Sequence, residues 1–285
     1  MTARATALLF LLVLTALAVL ARPAAGGADG AVPRIVFPLV AKTLWWDSYG
    51  DARPNGRHAG IDIEAPWRAP VVAVEPGRVQ YWESALGGCM LYLHGRSGTM
   101  YMYIHLNNDV AAVGDDRGRC RETAYAVPDG ARVAAGEQVA WNGDSGDAAG
   151  NPHLHFEVHP NGGADVNPYT YLKRASRPLF AAKPGSTFSL ALRGRLISSS
   201  AGTLSIGVER VRHYPGGRWL DVDRRTVKLA VPADASAVAG PSAQVRRPSA
   251  AASPVVVHTV KGRTTTAAIV GASGALRVAR VSPAR

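Results

Sequence analysis

Between residues 34 and 175 short β-branched and aromatic runs alternate with clusters of Gly, Pro, Asn and Asp. The clearest runs are Pro70-Val71-Val72-Ala73-Val74, Gly77-Arg78-Val79-Gln80-Tyr81-Trp82, Met90-Leu91-Tyr92-Leu93, Thr99-Met100-Tyr101-Met102-Tyr103-Ile104 and Leu154-His155-Phe156-Glu157-Val158. Short runs bounded by turn formers predict strands joined by turns, hence an antiparallel all-β domain. No long stretch of helical period follows the first 25 residues. Asn107 to Pro128 breaks the rhythm with Asp, Gly and Arg and reads as a long surface loop. Such a loop is either a functional rim beside a cleft or a tolerated insertion, and the sequence leaves both open.

Past residue 180 a second series of strands is predicted at Thr187–Leu192, Leu204–Val208 and Thr226–Val231, resuming at Val255–Val257 and Ala275–Val278. The Ala-, Ser- and Pro-rich stretch near 233–254 reads as a loop or partly disordered segment. Residues 26–180 and 181–285 are therefore expected to be two β-rich domains, the second small and barrel-like.

The first 25 residues have a basic start, an apolar run from Leu8 to Leu14 and a small-residue exit, the order of a secretory signal peptide. An uncleaved signal anchor stays open, because Leu17 to Leu20 prolong the apolar stretch. Both place the chain outside the cytoplasm, secreted or wall-associated. In that oxidising setting the two cysteines, Cys89 and Cys120, are read as one disulfide. The net charge of +11 is uneven: residues 26–180 carry 14 basic and 17 acidic side chains, residues 181–285 carry 16 and 4. A basic tail on an exported chain suits an anionic cell-wall polymer or membrane surface. Export argues against nucleic acid, and a monomer is expected.

Of the eight histidines, several form a pattern. In His58-Ala59-Gly60-Ile61-Asp62, Gly60 and the β-branched neighbours disfavour a helix. Fully extended, His58 and Asp62 would stand roughly 13 Å apart, so a shared ion requires a bend, which Gly60 permits. In Pro152–Val158 strict alternation predicts a half-buried strand with His153, His155 and Glu157 on one face and Leu154, Phe156 and Val158 on the other. The two pieces together supply two imidazoles and a carboxylate to one ion with a fourth position open, the set expected of catalytic rather than structural zinc. Neither cysteine fits such a set.

These stretches, with Met102-Tyr103-Ile104-His105-Leu106 and Asn142-Gly143-Asp144-Ser145-Gly146, occur in the order found in the lysostaphin-like, or LytM-like, zinc endopeptidases acting on peptidoglycan. The resemblance covers about residues 35 to 172. It implies one zinc per chain held by His58, Asp62 and His155, with His105 and His153 as unliganded catalytic histidines and peptidoglycan peptide as substrate. The insertion after His105 and the Gly87-Gly88-Cys89 stretch depart from the family pattern and bear on which peptides fit. With no His-Glu-x-x-His glutamate in the chain, the two free histidines would share proton acceptance and oxyanion stabilisation. Glu157 would orient a ligand imidazole or serve only as a surface acid. His94 is the rival third histidine, and Trp45, Trp46, Tyr103, Trp141 and Arg57 are candidate groove residues. Two other readings compete: a non-catalytic wall-binding or regulatory module of the same fold, and a peptidase of other extracellular proteins.

Overall fold

A computed structural model describes residues 32–54, 56–200, 202–233 and 254–284. The signal segment expected over 1–25 lies outside them, as does the loop expected near 233–254 except for its end residues. Among the described residues no helix is long and apolar enough to cross a membrane.

The first sheet has six antiparallel strands: β1 (Ile61–Glu64), β2 (Gly77–Ser84), β3 (Gly88–Gly95), β4 (Met100–Leu106), β5 (Arg132–Val133) and β6 (His153–His159). Their spatial order is β1-β6-β4-β3-β2-β5. The last strand in sequence thus lies between the first and the fourth. On its inner face Leu154, Phe156 and Val158 are fully buried with Ile61, Ile63, Leu91, Leu93, Tyr101 and Tyr103. The alternation in Pro152–Val158 is what fixes this register, since a one-residue slip would turn the apolar set to solvent.

The second sheet is also antiparallel, with strands β7 (Leu190–Ser200), β8 (Thr203–His213), β9 (Leu220–Ala230), β10 (Pro254–Thr259) and β11 (Val278–Pro283) in the order β9-β8-β7-β10-β11. It is all-β as expected but is a curled open sheet rather than a barrel. Edge strand β9 meets the segment just before β11 through the Ala230 to Arg277 bridge and the bonds Ala230 N–H to Leu276 O and Gly274 N–H to Lys228 O, with no ladder to β11 itself. The stretch Ala275–Val278 was expected to be the final strand. It instead precedes and begins it, Leu276 and Val278 being buried while the ladder runs on to Pro283.

The three α-helices among the described residues are short: α1 (Cys120–Thr123), α2 (Tyr169–Arg174) and α3 (Thr266–Ile269). Helix α1 falls inside the expected loop, and Cys120 in it is joined to Cys89 on β3 with Cα atoms 5.4 Å apart. The loop is tied back to the sheet, as the cysteine count suggested.

Candidate metal centre

Asp62 and His155 are directly opposed residues of β1 and β6, so their side chains leave the sheet on the same face. His58 arrives from the loop before β1. Its backbone is pinned by His58 N–H to Asp51 O (2.8 Å) and Gly50 N–H to His58 O (2.8 Å), and its Nδ1 donates to Ser48 O at 2.7 Å. The chain bends at Gly60, as expected, and the structure adds a second reason for glycine there. A Cβ at this position would stand 2.5 Å from Phe156 O and 2.8 Å from His155 Nε2.

Three ligand atoms converge: His58 Nε2 is 3.0 Å from Asp62 Oδ1 and 2.9 Å from His155 Nδ1, and His155 Nδ1 is 2.8 Å from Asp62 Oδ1. The opposite ring nitrogens carry the protons, since His58 Nδ1 donates to Ser48 O and His155 Nε2 to Glu157 Oε1 at 3.0 Å. Two imidazole lone pairs and a carboxylate oxygen thus face one point, an arrangement that repels itself unless a cation sits there. Tetrahedral zinc with bonds of about 2.0–2.2 Å would set its ligand atoms about 3.3 Å apart, a few tenths of an ångström from what is seen. The donor set fits zinc, with His58, Asp62 and His155 as its holders. His94, the rival, is instead on β3, with Nε2 2.8 Å from Gln80 Oε1.

Burial lowers the pKa of His155, but hydrogen bonds to Asp62 and Glu157 outweigh it and raise it to about 9. For Asp62 burial opposes ionisation, yet the His155 and His58 hydrogen bonds hold its carboxyl well below the usual range. Asp62 divides its oxygens: Oδ1 faces the two histidines, while Oδ2 accepts from Arg53 Nη2 at 2.7 Å. Glu157 is a positioning residue, not a surface acid, its other oxygen holding His159 Nε2 at 2.7 Å while His159 Nδ1 donates to Gly163 O. The sequence reading gave no part to Arg53 or His159. The signal for His159 was present, since the alternation that aligns residues 153, 155 and 157 also aligns 159.

His105 and His153 flank the ligands without joining them. Their ring centroids are 4.9 Å apart, and His153 Nε2 is 3.7 Å from Asp62 Oδ1. Each donates from Nδ1 to a carbonyl, His105 to Ser145 O (2.9 Å) and His153 to Asn151 O (2.8 Å), which leaves both Nε2 atoms as lone pairs. The backbone of His105 has φ 62°, the left-handed region that a side chain larger than glycine occupies at a cost. Burial, then the neighbouring His153, pushes the His105 pKa down to about 4, keeping its ring neutral at neutral pH. Asp147, which the sequence did not single out, stands 3.7 Å from His105 Nε2.

The candidate groove aromatics divide. Tyr103 is a core residue, fully buried against Phe156 with its hydroxyl accepting from Val74 N–H, and Trp45 is half-buried between Phe37 and Tyr169. Arg57 is committed to Asp165. Trp46 remains open to solvent and Trp141 is half-buried. Two open depressions are each lined by one residue that holds a histidine. One of about 650 Å³ is walled by the disulfide, Asn108, Arg119 and Ser145, and the other, about 340 Å³, by Leu44, Glu64 and Asn151. Ser145 and Asn151 are the residues whose carbonyls hold His105 and His153.

A β-sheet presenting two imidazoles and a carboxylate on one face, with two free imidazoles beside them, has the makings of a mononuclear metallohydrolase centre. No family model matches the chain. Over 123 residues it is 34% identical to a protein described as an uncharacterized metalloprotease of Haemophilus influenzae, covering 42% of this chain and 22% of that one. Over 151 residues it is 30% identical to a Pseudomonas aeruginosa protein described as a lipoprotein NlpD/LppB homolog, covering 52% and 45%. It spans between about a fifth and about half of the length of these relatives. Solved structures with a similar fold include the catalytic domain of the antimicrobial peptidase lysostaphin from Staphylococcus simulans (24% identity, 49% of this chain, 92% of that one, TM-score 0.34). Another is a zinc-containing peptidase from Vibrio cholerae (22% identity, 47% and 39%, TM-score 0.36). The chain resembles the lysostaphin-like peptidases, and the case for its chemistry rests on the residues themselves.

Proposed function

We propose that this chain is a zinc-dependent endopeptidase acting outside the cytoplasm on the peptides of bacterial peptidoglycan. The observation that carries the reading is the convergence of His58 Nε2, Asp62 Oδ1 and His155 Nδ1, all within 3.0 Å of one another, with both ring tautomers set from behind. A bound zinc supplies a Lewis acid for the scissile carbonyl and a water of lowered pKa. The protein's own contribution is proton handling. Both free imidazoles present lone pairs at Nε2, so each can accept a proton from an attacking water, and the one that does so becomes a donor to the oxyanion. The two depressions, lined in part by Ser145 and Asn151, are candidate places for peptide near this pair. The wall as substrate and the extracytoplasmic setting draw on the family resemblance, the leader-like first 25 residues and the relative described as a lipoprotein homolog.

The test joins metal analysis to digestion. Purified chain should carry about one zinc and release new free amines from peptidoglycan, while His155→Ala should lose both. Metal-free wild-type protein, or a variant that cuts as well as wild type, would sink the catalytic reading. A chain that binds zinc and wall without cutting would be the non-catalytic module. Faster cleavage of casein than of wall peptides would make it a general extracellular peptidase.

A further inference from the structure

The five-stranded sheet has two faces, and only one is accounted for by packing. Val211, Leu192, Val257 and Val281 are consecutive cross-strand partners on the face packed into the second apolar cluster. One residue to either side, the side chains point the other way. There, Arg212, Ala191, His258 and Arg280 form one row of partners across β8, β7, β10 and β11, and Arg210, Arg193, Val256 and Ser282 form the next. Four guanidinium groups and no lysine therefore occupy two adjacent rows of one face. Arg210 pairs with Asp221, 3.0 Å from its Nε. Two residues further along β7, Arg195 is 4.0 Å from Glu209, which also holds Arg224.

Like charges on neighbouring strands repel, so the Arg212 and Arg280 end of this row gains from an anionic partner. Arg212 makes no ion pair among the described residues, and its Nε lies buried without a hydrogen-bond partner, as does His258 Nδ1. The Arg212 guanidinium lies 4.8 Å from the Trp219 ring centroid, and Tyr214 packs edge-on to His258 at 4.5 Å. Arg280 is exposed, with one amino group 3.3 Å from His258 Nε2. These are contacts that orient guanidinium groups without neutralising them.

We propose that this face binds a phosphodiester polymer of the cell surface. Arginine presents planar donor forks that match phosphate oxygens two at a time, which lysine cannot do. A polymer is favoured over a bilayer because the exposed large apolar side chains of the sheet, Tyr214 and Ile197, lie towards opposite ends of β7 and form no continuous apolar surface to insert. The choice of a cell-surface polymer over nucleic acid rests on the extracytoplasmic setting proposed above. The site itself is separate from the metal centre.

Binding of the full chain to soluble poly(glycerol phosphate), measured with zinc content in parallel, tests it. Arg212→Gln/Arg280→Gln should weaken binding about tenfold and flatten its salt dependence. Lys183→Gln/Arg263→Gln, an equal change of net charge at exposed tail positions off this face, should leave it within about twofold. Should the double variant fail to fold, Arg280→Gln alone, on the edge strand, should still cost about threefold. Equal losses from the two double variants would overturn the site. So would tighter binding to phosphatidylglycerol vesicles or single-stranded DNA than to the polymer. Unchanged zinc content in every variant separates this outcome from any failure of the peptidase reading.

Discussion

The centre depends on which nitrogen of each histidine is free, and that is settled by atoms behind the rings. Glu157 Oε1 takes the His155 Nε2 proton and so turns Nδ1 toward Asp62 and His58. Glu157→Gln removes the anionic acceptor while keeping the shape, and zinc affinity should fall about 10- to 100-fold in a chelator competition. Unaltered affinity would reduce Glu157 to a packing role. The candidate ligands, and His105 and His153 beside them, could be picked out in the sequence because each sits in a short motif. Arg53 and Ser48 were not. They reach Asp62 and His58 through the folded path of residues 47–58, and no local pattern encodes that path.

Among the elements, the loop after β4 shows most clearly how local polar chemistry replaces a core. Asp115 accepts from the backbone N–H groups of Val110, Ala111 and Ala112, and Asp109 from those of Gly114 and Asp116. What looked like a hydrophilic insertion is thus ordered around its own carboxylates, with Asp109 wholly buried. Buried Asp144 meets Asp109, and burial, then this contact, raises the Asp144 pKa to about 6. An unfolded Asp titrates near 3.8, so folding favours the protonated form. The resulting stabilisation is complete below about pH 4 and is lost as the pH rises through about 6. Asp144→Asn should therefore raise stability at pH 8, by roughly 1–3 kcal/mol, and leave it nearly unchanged at pH 4, as read by urea unfolding at the two pH values. A variant equally altered at both would contradict a shared proton. Composition made this segment look like a plain loop, because paired acids resemble solvated ones until burial is known.

Taken whole, the two sheets are not energetically separate. The apolar cluster beneath the second sheet includes Val36, Val40, Val72, Leu179 and Phe180 from the first 180 residues. Arg177 pairs with Asp223 on β9 and lies over the Phe37 ring, and Thr43 donates to the same carboxylate. Removing 181–285 would bare those apolar side chains, each worth roughly 1.5–3 kcal/mol when buried. The shortened chain should melt several degrees lower or aggregate, whereas the full chain should unfold in one transition by calorimetry. An unchanged melting temperature would show that the sheets stand independently. The sequence by itself determined the strand character of the chain, the inward face of residues 153–158, the pairing of the only two cysteines and the residues able to hold a metal. Each follows from side-chain chemistry repeated at short range, which needs no knowledge of distant contacts. Only the tertiary structure decided that β6 lies between β1 and β4, that Asp62 opposes His155, that Tyr103 belongs to the core and that the tail sheet stays open. Those outcomes depend on which strands meet, a choice made by burial summed over the whole chain.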